Sequence, residues 1–166
     1  EYRSEPLRMI LHGVPGAGKT ETLLWIKDFF ETVCNWTHGM EFVFLASQNT
    51  MAALIGGFTI HSFHKLTFQQ KDGRAANQKD DKNDMSSLAL RYQALRFMFI
   101  DEISTVSLEV CAEINANTKT HIRTRGTWAE REKGVIRPFG GLNLALSGVW
   151  WLFPPIMSHA VFDNPL

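Results

Sequence analysis

The sequence predicts an α/β fold, a parallel sheet flanked by helices on both faces. Three observations carry this. Short apolar runs at Leu7–His12, Glu41–Ala46, Phe97–Asp101 and Leu142–Gly148 alternate with stretches of helical period. A glycine-rich segment, Gly13 to Thr20, separates the first run from the first helical stretch. A later run ends in the acid pair Asp101-Glu102. Strands that alternate with helices pair in parallel, because each helix carries the chain back to the edge where the next strand starts.

Each element has its own signal. Leu7 to Leu11 is an apolar run, with Arg8 within it, and reads as a buried strand. Thr20–Cys34 reads as a helix with Leu23, Ile26, Phe30 and Val33 on one face. Glu41–Ala46 is the second strand. Thr50–Gly56 is a short helix, stopped by Gly56-Gly57. Phe97–Asp101 is the third strand. Thr105–Thr118 is a helix, with Val106, Val110 and Ile114 four apart, and Leu142–Gly148 is the fourth strand. Gln69–Ser87 has no apolar period and reads as a flexible polar loop. Thr118–Pro138, rich in Arg, Lys, Gly and Thr, is expected on the surface. No internal repeat is visible.

Composition sets outer bounds. The 166 residues are about one domain's worth, 45% apolar and 20% charged, as in ordinary globular proteins. Seventeen basic residues balance seventeen acidic ones, so any contact with nucleic acid has to rest on local residues. Cys34 and Cys111 form no C-x-x-C pair. Both fall in expected helices and read as buried, reduced thiols of an intracellular protein. No signal peptide is visible, and no apolar run reaches the ~18–20 residues of a membrane span, so no membrane partner is expected. The chain starts at Glu1 rather than Met, as a fragment would.

The glycine segment carries the chemistry. Gly13-Val14-Pro15-Gly16-Ala17-Gly18-Lys19-Thr20 fits G-x-x-x-x-G-K-[ST], the phosphate-binding loop of nucleotide triphosphatases. Glycines let successive N–H groups turn toward one anion, and the following helix adds the partial positive charge of its N-terminus. Gly13, Gly16, Ala17, Gly18, Lys19, Thr20 and Glu21 are the expected nucleotide-binding set. Lys19 would reach the β- and γ-phosphates of ATP, and the Thr20 hydroxyl would ligate Mg²⁺. A glycine turn with a chance lysine is the alternative, and the flanking strand and helix argue against it. Asp101-Glu102 ends an apolar strand, as many solvated acids do. Downstream of a phosphate loop, the pair fits a second role: Asp101 holding Mg²⁺, and Glu102 orienting or deprotonating the attacking water.

The wording of several segments carries a family resemblance. "GVPGAGKT", "TIHSF", "FIDEIS" and "PFGGLNLALSG…PP" resemble, in this order and at similar spacing, the motifs of Pif-type DNA helicases, which move 5′ to 3′. "RPFGGLNLALSG" and "HAVFDNP" are most similar to relatives encoded by Helitron transposons. The resemblance runs from about Leu7 to Pro165. It implies a RecA-like P-loop NTPase domain spanning 1–166, the first of two in an ATP-dependent helicase that translocates on single-stranded DNA. It also implies a second RecA-like domain as partner, roles in DNA repair, recombination and telomere maintenance, and a nuclear location in a eukaryote. Carried over by position, Lys19 and Glu102 are the catalytic pair, and Thr20 and Asp101 the metal ligands. Asn49 and Thr50, in "ASQNTMAAL", stand where the family contacts DNA, replacing its usual Thr-Gly. His61 and Phe63, in "TIHSF", match a second DNA-facing segment. Phe63 fits a core aromatic equally well. A zinc site at His61 and His64 lacks a third ligand.

One motif departs from the family. Where it reads approximately G-D-[FW]-x-Q-[LF]-P-P, this chain has Gly148-Val149-Trp150-Trp151-Leu152-Phe153-Pro154-Pro155. Valine and leucine have no side-chain donor or acceptor. A catalytically impaired module that binds ATP or single-stranded DNA is therefore a second reading. A small P-loop kinase or GTPase is a third, but it leaves "TIHSF" and "PFGGLNLALSG" unexplained.

Overall fold

The structure, a computed structural model, describes residues 5–66, 89–122, 129–132, 134–149, 155 and 159–160. Its centre is a five-stranded sheet: β1 (Arg8–His12), β2 (Phe42–Ala46), β3 (Phe58–Thr59), β4 (Phe97–Asp101) and β7 (Asn143–Gly148). The order is β1-β7-β4-β2-β3, and every pairing is parallel. The helices with both ends among the described residues are α1 (Lys19–Thr32), α2 (Asn49–Leu54), α3 (Ile60–His64) and α4 (Leu108–Ile122). A two-stranded antiparallel ribbon, β5 (Glu130–Glu132) with β6 (Val135–Ile136), lies outside the sheet. Among the described residues no helix is long and apolar enough to cross a membrane.

Alternation along the strands divides the core in two. Phe42, Phe44, Phe99 and Ala145 face one side and pack with Leu23 and Phe30 of α1, Ala52 of α2 and Ile55 just past it. Val43, Leu45, Met98, Ile100 and Leu144 face the other and pack with Ile60 and Phe63 of α3 and Ile114 and Ile122 of α4. Because both faces of β2 are covered, all five of its residues are buried, as the continuous apolar run of a central parallel strand requires. Phe30 anchors the first side, with its ring 4.9 Å from Trp36, 5.1 Å from Phe42 and 5.1 Å from Phe97.

Several expectations need correction. β1 is an edge strand rather than a buried one. Among the described residues it pairs only with β7, and Ile10 is 54% exposed. Apolar sequence alone does not report position in the sheet order. Helix α1 ends at Thr32, which leaves Val33 exposed and Cys34 beyond the helix. Both thiols are half-buried rather than buried, and burial pushes Cys111 up to about 11. The helix expected from Thr105 begins instead at Leu108, because the Ser107 hydroxyl accepts from the Val110 N–H and caps it. It continues past Thr118 to Ile122, and both residues are fully buried. The Thr118 hydroxyl donates to the Ile114 carbonyl, so it does not compete with the helix. The stretch to Pro138 is thus only partly on the surface, since Ala129 and Arg137 are buried too. β3 and α3 are additional elements. The Gln69–Ser87 segment lies outside the described residues.

Two histidines are held neutral inside this framework. His38 Nε2 accepts from the Phe44 N–H at 3.0 Å, and its ring stacks on Phe58. Burial first, then the Lys27 charge, pushes it from 6.5 to about 4. His64 is fully buried against the Tyr92 hydroxyl, and burial first, then Arg91, pushes it to about 3. Unfolded, both would take up protons near 6.5, so below that pH the unfolded chain binds more protons than the native one. Stability should be complete above about pH 6.5 and decline as pH falls toward 4. His38→Gln keeps an acceptor for the Phe44 N–H and removes one titration. Its melting temperature should fall less steeply than wild type across that window, and equal slopes would show that His38 contributes nothing to acid sensitivity.

Candidate active site at the carboxyl edge of the sheet

Parallel register brings the expected site residues to one edge. His12 of β1 pairs with Gly148 of β7, Ile100 of β4 with Leu146, and Ala46 of β2 with Asp101. The four strands therefore finish side by side. The glycine loop leaves β1, the acid pair leaves β4, and Gly148 leaves β7 between them.

The loop has the shape its sequence requires. Gly16 and Gly18 have φ of 78° and 80°, yet a Cβ on either would meet nothing within 4 Å. Glycine is needed there for the left-handed backbone, not for room. The Ala17 N–H donates to the Val14 carbonyl and closes the turn. Lys19 Nζ donates to the Gly13 and Val14 carbonyls at 2.9 and 3.3 Å, which holds the ammonium over the loop. Gly18 caps α1 without a side-chain hydrogen bond, so the first-turn N–H groups are offered to an anion. The Thr22 hydroxyl is committed to the Gly18 carbonyl, whereas the Thr20 side chain is exposed. Glu21 is also exposed, in the first turn of α1.

Across the strand ends, Asp101 is 5% exposed. Glu102 adopts φ 51°, ψ 51°, a left-handed conformation that costs a non-glycine residue roughly 1–2 kcal/mol. The Thr105 N–H and hydroxyl both donate to the Glu102 carbonyl, at 2.9 and 2.7 Å, and hold the turn. Burial pushes the Glu102 carboxyl up from the ordinary glutamate value. The neighbouring Asp101 charge adds to this and Lys19 opposes it. Those opposed influences place Lys19, Asp101 and Glu102 in one electrostatic neighbourhood. A Cβ on Gly148 would meet the Ile103 backbone nitrogen at 3.1 Å, so β7 approaches the Glu102 turn as closely as a glycine allows.

Sequence reasoning missed Ser147. Strand alternation puts it on the same face as Ala145 and, through register, beside Leu11 and Asp101. Its hydroxyl is buried with no hydrogen-bond partner among the described residues. A buried orphan hydroxyl beside a buried carboxylate makes an all-oxygen surface. Such a donor set suits a hard cation and its waters. Among the described residues no cluster of three His, Cys, Asp or Glu could hold a metal unaided, so further oxygens would have to come from hydroxyls, water or phosphate. A serine at the penultimate position of an apolar strand was the available signal.

The expected DNA-facing residues lie farther along the same edge. Asn49 and Thr50 are exposed in the first turn of α2. Thr59 pairs with Ala46, so α3 starts at that edge too, with His61 half-buried. The Thr59 hydroxyl accepts from the Ser62 N–H and caps α3. Phe63 is corrected to the core. It is 2% exposed, edge-on to Tyr92 and covered by the Arg91 guanidinium at 5.5 Å, so it is not available to stack on a base. Arg91 also donates to the Ser62 and Phe63 carbonyls, closing the C-terminus of α3. Val149 is buried just past β7, and Leu152 lies outside the described residues.

A parallel sheet with a glycine loop, a lysine, a buried aspartate and a half-buried glutamate converging on its carboxyl edge defines a RecA-like P-loop domain. Residues 2–163 match the PIF1-like helicase family, and the chain belongs to that family. It is 29% identical over 119 residues to the ATP-dependent DNA helicase PIF1 of Candida albicans, a match covering 72% of this chain and 12% of that protein. Its fold is similar to the crystal structure of the Candida albicans Pif1 helicase, with TM-score 0.68 and 24% identity over 96% of this chain and 33% of that one. It is similar also to Bacteroides Pif1 in complex with ADP-AlF3 and ssDNA, with TM-score 0.65 and 21% identity over 93% of this chain and 31% of that one. The chain thus spans a third or less of the length of these relatives.

The two aromatic-segment residues should separate in mutagenesis. Phe63→Ala should destabilise the domain by about 3–5 kcal/mol in denaturant unfolding, as a core cavity does. His61→Ala, at a half-exposed position, should change stability by no more than about 0.5 kcal/mol. A small Phe63→Ala effect would return Phe63 to the surface.

Proposed function

We propose that this chain is the ATP-binding motor domain of a PIF1-like DNA helicase, and that it couples hydrolysis of ATP to 5′-to-3′ movement on single-stranded DNA. The observation that carries the reading is the convergence of the Gly13–Thr20 loop, Lys19, Asp101 and Glu102 at one sheet edge. The loop N–H groups and the start of α1 would cradle the phosphates, and Lys19 would leave its loop carbonyls to neutralise the β- and γ-oxygens. Thr20 and Asp101 would hold Mg²⁺, with the Ser147 hydroxyl available to one of its waters. Bound there, Mg²⁺ would supply positive charge against the negative charge that develops on the phosphates. Glu102 would orient the attacking water and accept its proton, and a carboxyl pushed above the ordinary glutamate value is better suited to that exchange.

Single-stranded DNA is proposed to run past Asn49, Thr50 and His61, on the β2–β3 side of the same edge. A second RecA-like domain would complete the nucleotide site from across the cleft, with an arginine of the kind that contributes ~10³–10⁵ in rate. Roles in repair, recombination and telomere maintenance follow the family. Val149, buried and without a polar group where the family has aspartate, favours a second reading, an impaired module that binds nucleotide but turns it over poorly. DNA-stimulated phosphate release, measured with a relative's second RecA-like domain joined to this chain, separates the two, since an impaired module then binds ATP but still shows no stimulation.

Nucleotide binding is the primary test. ATP with Mg²⁺ should raise the melting temperature, since a ligand at a hundred times its Kd adds about 2.7 kcal/mol to stability. Lys19→Ala should remove most of that shift. Equal shifts in the two proteins, or none in the wild type, would refute the phosphate-site assignment.

A further inference from the structure

Ser47 and Thr105 lie just past the ends of adjacent parallel strands. Ala46 of β2 pairs with Asp101 of β4, so Ser47 and Glu102 are the first residues beyond each strand. The Ser47 and Thr105 hydroxyl oxygens are 2.6 Å apart, and the Thr105 hydroxyl lies 2.7 Å from the Glu102 carbonyl oxygen. Proton counting fixes the direction. A carbonyl oxygen only accepts and each hydroxyl has one proton, so the Thr105 proton goes to Glu102 and the Ser47 proton goes to Thr105. The bonds run one way, Ser47 to Thr105 to the Glu102 backbone.

The two ends of this chain belong to different parts of the edge. Glu102 sits in a left-handed turn, a conformation a glutamate keeps only where its surroundings hold it. Thr105 holds it twice, through its N–H and its hydroxyl. Ser47 is followed by Gln48, which precedes α2, and then by Asn49 and Thr50 at the exposed start of that helix. Only Gln48 separates the relay from the DNA-facing pair. A strand of DNA that shifts the start of α2 moves Ser47, and moving Ser47 changes what the Thr105 hydroxyl receives and therefore how firmly it holds Glu102.

We propose that Ser47 and Thr105 are positioning residues that couple DNA contact at the start of α2 to the setting of Glu102 in the nucleotide site. The inference rests on the functional reading above. Coupling of this kind is reciprocal: DNA tightens nucleotide binding by the factor by which nucleotide tightens DNA binding.

The test uses the full chain, a non-hydrolysable ATP analogue with Mg²⁺, and an oligo-dT strand at low salt. The readout is the ratio of nucleotide Kd without DNA to Kd with DNA. For wild type it should be about fivefold or more, the lower range of measured allosteric couplings. Thr105→Val keeps the shape and removes the hydroxyl, so its ratio should fall toward one, and Thr105→Ser should restore it. Ser47→Ala should reproduce the loss, and the double variant should lose no more than either single one, because one chain of bonds is broken once. Should Thr105→Val fail to fold, Ser47→Ala decides alone. A wild-type ratio retained in the variants that fold, or a wild type that binds both ligands with a ratio of one, overturns the relay and leaves the functional reading standing. A wild type that binds no nucleotide overturns that reading, and the relay with it.

Discussion

Register between parallel strands is the constraint on which the rest depends. Backbone pairing sets His12 against Gly148 and Asp101 against Ala46. A slip of one residue would send the whole hydrophobic set of a strand to the opposite face. Because Phe42, Phe44 and Phe99 serve one cluster and Val43, Met98 and Ile100 the other, that slip would bury no apolar set correctly on either side. The two clusters thus lock the register, and the locked register sets where the strands end. The phosphate loop and the acid pair meet because their strands end together, although they are far apart in sequence.

What happens just past the strand ends is decided by local geometry. The loop after β1 needs left-handed backbone, and glycine supplies it at no steric cost. The turn after β4 also needs it but carries a glutamate, so the structure supplies support in place of permissiveness. Thr105 donates twice to the Glu102 carbonyl, and Gly148 lets β7 close up against Ile103. The contrast fits the proposed function: a loop that offers N–H groups would need no side chain, whereas a turn that offers a carboxylate would.

The strands central to the sheet were legible because burial on both faces leaves mostly apolar runs. β4 matches its sequence range, and β2 and β7 differ by one residue at the start. The elements that were not legible lack such a signal. β3 has two residues, too few for any period, and α3 has five. Helix α4 looked finished at Thr118 because threonine there reads as polar, whereas its hydroxyl is satisfied by the turn below and its remainder is buried. In the site, spacing marked Lys19, Asp101 and Glu102, since each is tied to a motif. It could not mark Ser147 or Ser47, whose meaning comes from strands that neighbour them only in space. Phe63 was ambiguous for the same reason, since its burial comes from Tyr92 and Arg91, 28 or more residues away.

The sheet also separates the work of its two faces. Asp101 and Ser147 share the parity of Phe99 and Ala145, so they belong to the side on which α1 packs and the phosphate loop begins. Glu102 and Thr105 lie in the turn that leads to the other side, where Ile103 and Val106 enter the cluster beneath α4. The boundary between β4 and this turn is therefore where the chain passes from one face to the other. The turn is held by the two hydrogen bonds from Thr105 to the Glu102 carbonyl and by the Val106 N–H on the Ile103 carbonyl.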